Sequence, residues 1–504
     1  MAKKSKHGRG KQRRQAARDE RVAVEKVIAT SPQVPAEEPA FWFGFDVSWA
    51  KLVLGRFVLF LLLAIDSLLN FSHAPRYGAG DFNVAQLPLL DGLAPTRPSY
   101  AIGQLACAYL FALIACGAAT RIALPIVAAI YGWLYFGSHL DSYQHHYLMW
   151  LILVLSCFVP WQKPADAVPA TRIRSWALRL ILVQLGILYL WAAISKINPA
   201  WVDGRTLSQQ VVGSMKSLIT STVGFKIASV MVILVELTLA FTVWIKRTWW
   251  IAAPLGLLLH IGIVMTGLEI GLFAWLMIGM YIFVVPDRIW GWLAERSPLP
   301  TLRGFLGVVA DWFAGAAGWI LWVIAGALGL ILALVARYDH AGAVGLVLIA
   351  ALIGLTIYDR KHVARIALAH LVAFTLWTIV DRATTTAPDY YRFWGGSSRR
   401  LGDTKTAEYA YRKMTEVAPN EGAGHFQLGR LLLARDASDE GLTELHRAEE
   451  LEPLKARAYV AEAKWLLQHG RRDEAIAKVR EGTIVEPTDS EARSLLDSLV
   501  GGTK

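Results

Sequence analysis

The chain has 504 residues, 55% of them hydrophobic and only 18% charged, with 20 Trp and a formal net charge of +11. So little charge over that length excludes an ordinary soluble globular protein and points to a large part that lives in lipid. The positive charge does not call for nucleic acid, because much of it sits in one tail beside a hydrophobic domain, and no nucleic acid is expected as a partner.

That tail comes first. Residues 1–44 contain KKSKHGRGKQRRQAARDER (3–21) and read as a basic, largely disordered cytoplasmic segment that touches anionic membrane lipid. No apolar h-region or small-residue cleavage site follows, so a signal peptide is not expected. About eleven apolar segments come next, near 48–71, 99–118, 121–139, 144–160, 174–195, 226–245, 248–266, 269–286, 308–336, 342–358 and 362–381. Each is long enough, or nearly so, to cross a bilayer core of roughly 30 Å as a helix. With the tail in the cytoplasm, the basic connections at Arg121, 162–175, Lys246-Arg247, 287–303 and 359–365 fall on the same side, as the distribution of Lys and Arg requires. Residues 71–99, the SHLDSYQHH stretch, 196–225 and everything after Asp381 fall on the other. The expected location is a membrane of the bacterial inner-membrane type.

After Asp381 charge rises and a repeat begins. Pro419, Pro453 and Pro487 recur every 34 residues, the length of a tetratricopeptide repeat. Leu428, Gly429, Ala448, Ala463 and Ala475 stand where paired antiparallel helices need small or apolar residues, and each proline ends a second helix. Gly395, Ala407 and Tyr411 match in a first unit, and 488–499 read as a capping helix. The fold class is therefore all-α: a multi-pass membrane bundle, with additional transmembrane helices over 291–382, followed by an extracytoplasmic α-solenoid over 383–500.

Several polar residues interrupt the apolar runs. Arg56 and Asp66 lie in the first span, ten residues apart, or about 15 Å along a helix, so each needs its own partner; a tie between helices and a functional role both stand. In LDSYQHHYL (140–148), His145 and His146 are adjacent and diverge by about 100° around a helix, unlike an i, i+4 metal pair. No metal is expected there. One inward histidine could serve as an acid or base, and both could equally be interfacial residues without a task. Asp141 precedes them. Lys196 ends a span just before the helix-breaking Asn198-Pro199; it either snorkels to the interface or, in an apolar pocket, becomes a neutral base. His260 lies inside an apolar span and Glu269 at the following turn. His145, His146, Lys196 and Glu269 all come to the extracytoplasmic ends of their spans, with His260 two or three turns away.

DSYQHHYL, YLWAAISKINPAWVDG and HIGIVMTGLEIGLFAWLMIGMYIFVVP resemble the horizontally transferred transmembrane (HTTM) domain, the membrane part of vitamin K-dependent gamma-carboxylases. The likeness covers residues 45–290, and its most specific part is the lysine segment with Trp201 and Gly204 behind it. The resemblance implies a lyase that couples oxidation of reduced vitamin K, or a similar reduced quinone, to carboxylation of a substrate glutamate, with O2 and CO2 as co-substrates and no metal. It implies Lys196 as the catalytic base, His145 as a residue that stabilises a carbanion, and His260 as a further active-site histidine. His146, Asp141, Arg56, Asp66 and Glu269 are left as supporting residues. The chain departs from the family in having Ser195-Lys196 in place of a lysine pair, and repeats in place of a luminal β-rich region. The repeats would then recruit a protein or peptide substrate. Two other classes of function stand beside this one. A non-enzymatic maturation or scaffold protein would use the repeats alone, and a lipid-sugar-dependent glycosyltransferase would use Asp81 or Asp91 in the first extracytoplasmic loop.

Overall fold

A computed structural model describes residues 44–78, 83–162, 170–211, 213–266, 272–290, 363–384 and 388–500, with isolated positions between 327 and 357. The basic tail, Asp81, Glu269, nearly all of the expected span 308–336 and most of 342–358 lie outside the described residues.

The main helices of the first part are α1 (Trp49–Asn70), α2 (Arg97–Cys116), α3 (Thr120–Phe136), α4 (Gln144–Ser156), α5 (Trp176–Ser195), α6 (Gly224–Thr242), α7 (Trp249–Met265) and α8 (Phe273–Val284). Side chains start two of them: the hydroxyl of Ser48 accepts from the N–H of Lys51 (3.2 Å), and that of Ser175 from Leu178 (3.1 Å), which satisfies amides that a helix leaves unpaired. A left-handed Gly117 (φ 74°) closes α2. Five stretches are long and apolar enough to cross a membrane: Trp49–Gly78, Arg97–Cys116, Trp176–Ser195, Gly224–Thr242 and Lys246–Met265. They mark an integral membrane protein. Among the described residues these five stand where the sequence pattern leads to about eleven. α3, α8 and residues 365–380 are apolar but shorter. α4 has 13 residues and rises only about 20 Å. A ninth helix, α9 (Val363–Thr384), packs along α2 and α1.

The sequence reading contains no strand, yet β1 (Asp46–Ser48) and β2 (Arg172–Arg174) pair antiparallel at the start of α1 and α5. Arg172 binds both Asp46 and Asp287, and Lys246 also binds Asp46. This charged knot ties the starts of α1, α5 and α7 to the end of α8.

The second part is a run of antiparallel helices: α10 (Pro388–Arg400), α11 (Thr404–Val417), α12 (Gly422–Leu433), α13 (Ser438–Leu451), α14 (Arg457–Gln468), α15 (Arg472–Val485) and α16 (Ser490–Val500). Small residues keep the 34-residue register, with Gly395, Gly429 and Ala463 on first helices and Ala407, Gly441 and Ala475 on second helices. A Cβ on Gly429 would lie 2.8 Å from the Gly441 carbonyl oxygen, so the pair packs backbone to backbone. α10 docks on the 3-10 segment Phe71–Gly78 that follows α1. There Ser397 donates to the Pro75 carbonyl, Arg76 lies 4.9 Å over the Phe393 ring, and Arg97 lies 4.9 Å over Trp394.

Candidate functional site

α5 and α6 approach closely because Gly186 has no side chain: a Cβ there would sit 2.8 Å from the Ala240 carbonyl oxygen. Tyr189 and Lys196 are seven residues apart on α5 and at its C-cap, close to two turns, and so share a face about 10 Å apart. The Lys196 ammonium folds back toward α5. It donates to the Ala192 carbonyl (3.2 Å) and to both carboxylate oxygens of Glu236 on α6 (2.8 and 3.0 Å). The lysine side chain is 18% exposed and the glutamate 8%. Asn198 accepts from the N–H of Trp201 (3.1 Å) and so starts the short helix Pro199–Val202. That turn brings the Trp201 ring to 5.3 Å from the ammonium, within reach of a cation–π attraction.

A second glycine positions the neighbouring groups. A Cβ on Gly256 of α7 would overlap the Tyr281 hydroxyl at 1.8 Å, so only glycine lets Tyr281 cross that helix. The Tyr189 hydroxyl then meets His260 Nε2 at 2.7 Å and the Tyr281 hydroxyl at 2.9 Å. All three rings are buried. His260 Nδ1 has no hydrogen-bond partner among the described residues. Lys196–Glu236 and Tyr189–His260–Tyr281 are two polar clusters on one face of α5, about two turns apart.

The two adjacent histidines are elsewhere. His146 Nδ1 is 2.8 Å from the Tyr131 hydroxyl and faces a small pocket lined also by Tyr77, Tyr100, Gln104 and Asp141. His145 packs between Tyr143 (ring centroids 5.4 Å) and Phe273 (5.4 Å). Asp141 accepts from Arg76 (2.5 Å) and from Tyr77 (2.7 Å), with His73 at 3.6 Å. Burial alone would raise its pKa; His73, Arg76 and Tyr77 outweigh burial and hold it down to about 2. Asp66 accepts from Asn70 (3.1 Å) on its own helix. Arg56 turns to the other end of the bundle and donates to the Trp161 carbonyl (2.7 Å) against Gly117.

Among the described residues one group of metal-type side chains converges, His446, Glu449 and Glu462 in the repeats. Lys478 already lies 3.0 Å from Glu449 and 2.8 Å from Glu462 and supplies the positive charge there.

Residues 46–290 match the HTTM domain family. This segment is an HTTM domain. It contains every stretch that carries the carboxylase resemblance, with Lys196, His145 and His260 among them. No curated protein matches the chain. Among solved structures, the crystal structure of the yeast Tom70 matches at 14% identity and a TM-score of 0.23, covering 80% of this chain and 85% of that one. A TM-score of that size leaves the repeats to rest on their own 34-residue period. Within the HTTM domain, Glu236 belongs to no segment read from the sequence, and Tyr189 and Tyr281 lie inside the quoted segments without having been singled out there. Glu236 does carry a signal, as a lone acid in the apolar run VILVELTLAF, of the kind that marks a functional or paired position. Asp91 is exposed on the 3-10 turn Pro88–Leu93.

Proposed function

We propose that the chain is a quinol-coupled membrane enzyme of the gamma-carboxylase type, acting on an extracytoplasmic polypeptide recruited by the repeats. The observation that carries this reading is the Lys196–Glu236 pair inside the apolar α5–α6 contact. In this reading Lys196 is the base that accepts a proton from a hydroxyl, and Glu236, bonded to its nitrogen through both oxygens, is the group that receives the lysine proton. Tyr189, hydrogen-bonded to His260 and Tyr281, forms a second buried polar cluster two turns along α5 from Lys196. A reduced quinone would supply the hydroxyl proton and the electrons that activate O2 for carboxylation of a glutamate with CO2. Lys196 would receive its hydroxyl, and Trp201, whose ring lies 5.3 Å from the ammonium, would face it. The family resemblance adds His145 as a stabiliser of negative charge. The full topology of about eleven spans, with the basic tail cytoplasmic and the repeats on the far side, belongs to the same proposal.

Purified protein in lipid nanodiscs should oxidise a reduced naphthoquinone, followed by absorbance. Lys196→Ala should lower that rate by on the order of a hundredfold or more; an unchanged rate overturns the base assignment. The docking of α10 on Phe71–Gly78 favours a second reading, a non-catalytic maturation scaffold. In that case Lys196→Ala leaves function intact while substitutions on the repeats abolish it.

A further inference from the structure

α3 and α9 both begin with the unfavourable sign of charge. A helix N-terminus carries about half a positive charge and favours an acid in its first turn. Arg121 stands in the first turn of α3 and Arg365 in that of α9, and neither first turn holds an acid. Both arginines are exposed. No side chain caps α3, whose N-cap is Ala119 in the left-handed region (φ 48°). Gly117, which closes α2 just before this turn, gathers two guanidiniums. Arg365 donates to its carbonyl (3.4 Å). Arg56 reaches it from α1, so that a Cβ on Gly117 would lie 2.5 Å from the arginine Nη2. Arg56 is only 8% exposed; Nη1 donates to the Trp161 carbonyl, while the buried Nε has no partner among the described residues. Among the described residues no carboxylate pairs with Arg56, Arg121 or Arg365. The end of α2 does not balance them. It offers about half a negative charge, and its last carbonyls are already bonded: the Gly117 N–H donates to Ile114 and the Ala118 N–H to Leu113 (2.9 Å each). Guanidiniums gathered at one turn without an acid repel, and a bound anion relieves that repulsion.

We infer that the turn Gly117–Thr120 binds the phosphate of an anionic phospholipid, received by Arg56 and Arg365 with Arg121 beside them. A guanidinium fork holds two phosphate oxygens through parallel N–H donors. The surroundings favour a lipid over free phosphate. The turn follows directly on the membrane-spanning stretch Arg97–Cys116, which sets it at headgroup depth. Ile122 and Ile126 are exposed (38% and 44%) one turn apart on α3, and they share a face that leads from the turn into the bilayer. Acyl chains would cover that track. The proposed topology puts the turn on the cytoplasmic side, the leaflet surface where anionic lipids attract basic residues. Arg56 and Gly117 belong to the HTTM segment 46–290, and Arg365 to α9 beyond it. The lipid therefore clamps α9 onto the HTTM domain. The site uses neither Lys196 nor Glu236 and does not rest on the proposed enzymatic function.

The test is native mass spectrometry of the full-length protein in detergent, titrated with phosphatidylglycerol or with phosphatidylcholine. One phosphatidylglycerol should bind about tenfold or more tightly than phosphatidylcholine, and the double substitution Arg121→Gln, Arg365→Gln should remove that preference. Arg56 stays in place, because it also ties α1 to the Trp161 carbonyl. Thermal melts give a second readout: phosphatidylglycerol should raise the melting temperature of the wild type and not of the variant. The two proteins should melt alike in phosphatidylcholine, which shows that the variant is folded. A preference for phosphatidylglycerol that survives the substitutions overturns the inference, since the lipid is then held elsewhere, as on the basic tail. Equal binding of the two lipids by the wild type overturns it as well. So does inorganic phosphate that stabilises the wild type as much as phosphatidylglycerol does, which would make the turn a site for free phosphate.

Discussion

Asp141 shows how one side chain organises the end of the bundle where α3 meets α4. It joins the 3-10 segment after α1 to the pocket that His146 faces, through Arg76, Tyr77 and His73. Its folded pKa of about 2 lies below the ordinary carboxylate value of about 4. Its contribution to stability is therefore complete above about pH 4 and is lost as the pH falls toward 2. Asp141→Ala should cost about 2 kcal/mol at neutral pH and flatten the acid limb of a stability–pH curve; a limb as steep as wild type contradicts this role. Lys196 and Glu236 form a different kind of pair. Removing Glu236 alone leaves an ammonium without its counter-ion, at a cost of about 3–5 kcal/mol. Lys196→Met with Glu236→Leu should recover most of that stability in thermal melts while quinol oxidation stays lost. Lys196 and His260 stand out in the sequence by their positions in apolar runs. The partner of Lys196 was less legible, since a lone acid in VILVELTLAF does not say which helix it faces.

At the scale of elements, Gly186 and Gly256 decide how closely α5 meets α6 and how Tyr281 crosses α7. Gly256→Val should destabilise by about 1–3 kcal/mol and displace Tyr281 from Tyr189; a normal melting temperature in this variant would mean that α7 and α8 have room to part. Apolar periodicity made the long helices legible, and the proline spacing made the repeats legible. It overextended α4. The run near 144–160 stays apolar past Ser156, yet the chain turns there. Its freed groups are satisfied within the protein: the Trp161 indole N–H donates to the Ser156 carbonyl (2.8 Å), and Arg56 donates to the Trp161 carbonyl. Composition records burial, and a buried turn looks like the end of a helix. The β1–β2 pair was hidden for a similar reason, because three-residue strands are too short for an alternating pattern.

On the scale of the whole molecule, the repeats are not simply tethered. α10 lies on Phe71–Gly78, with Ser397 bound to Pro75 across 322 residues of sequence and Phe393 against His73 (5.8 Å) and Arg76 (4.9 Å). No local pattern reveals such a contact. Phe393→Ala combined with Trp394→Ala should separate one cooperative melting transition into two; a single transition would show that the contact does not couple the parts. Held this way, the start of the repeats stays beside the HTTM domain, where Lys196 and Glu236 are paired. The central claim is that this pair performs proton transfer from a bound quinol. Its most direct test is reduced-naphthoquinone oxidation by wild type and Lys196→Ala in nanodiscs. The account predicts turnover in the wild type and loss on the order of a hundredfold or more in the variant; equal rates in the two proteins, or no turnover in either, would contradict it.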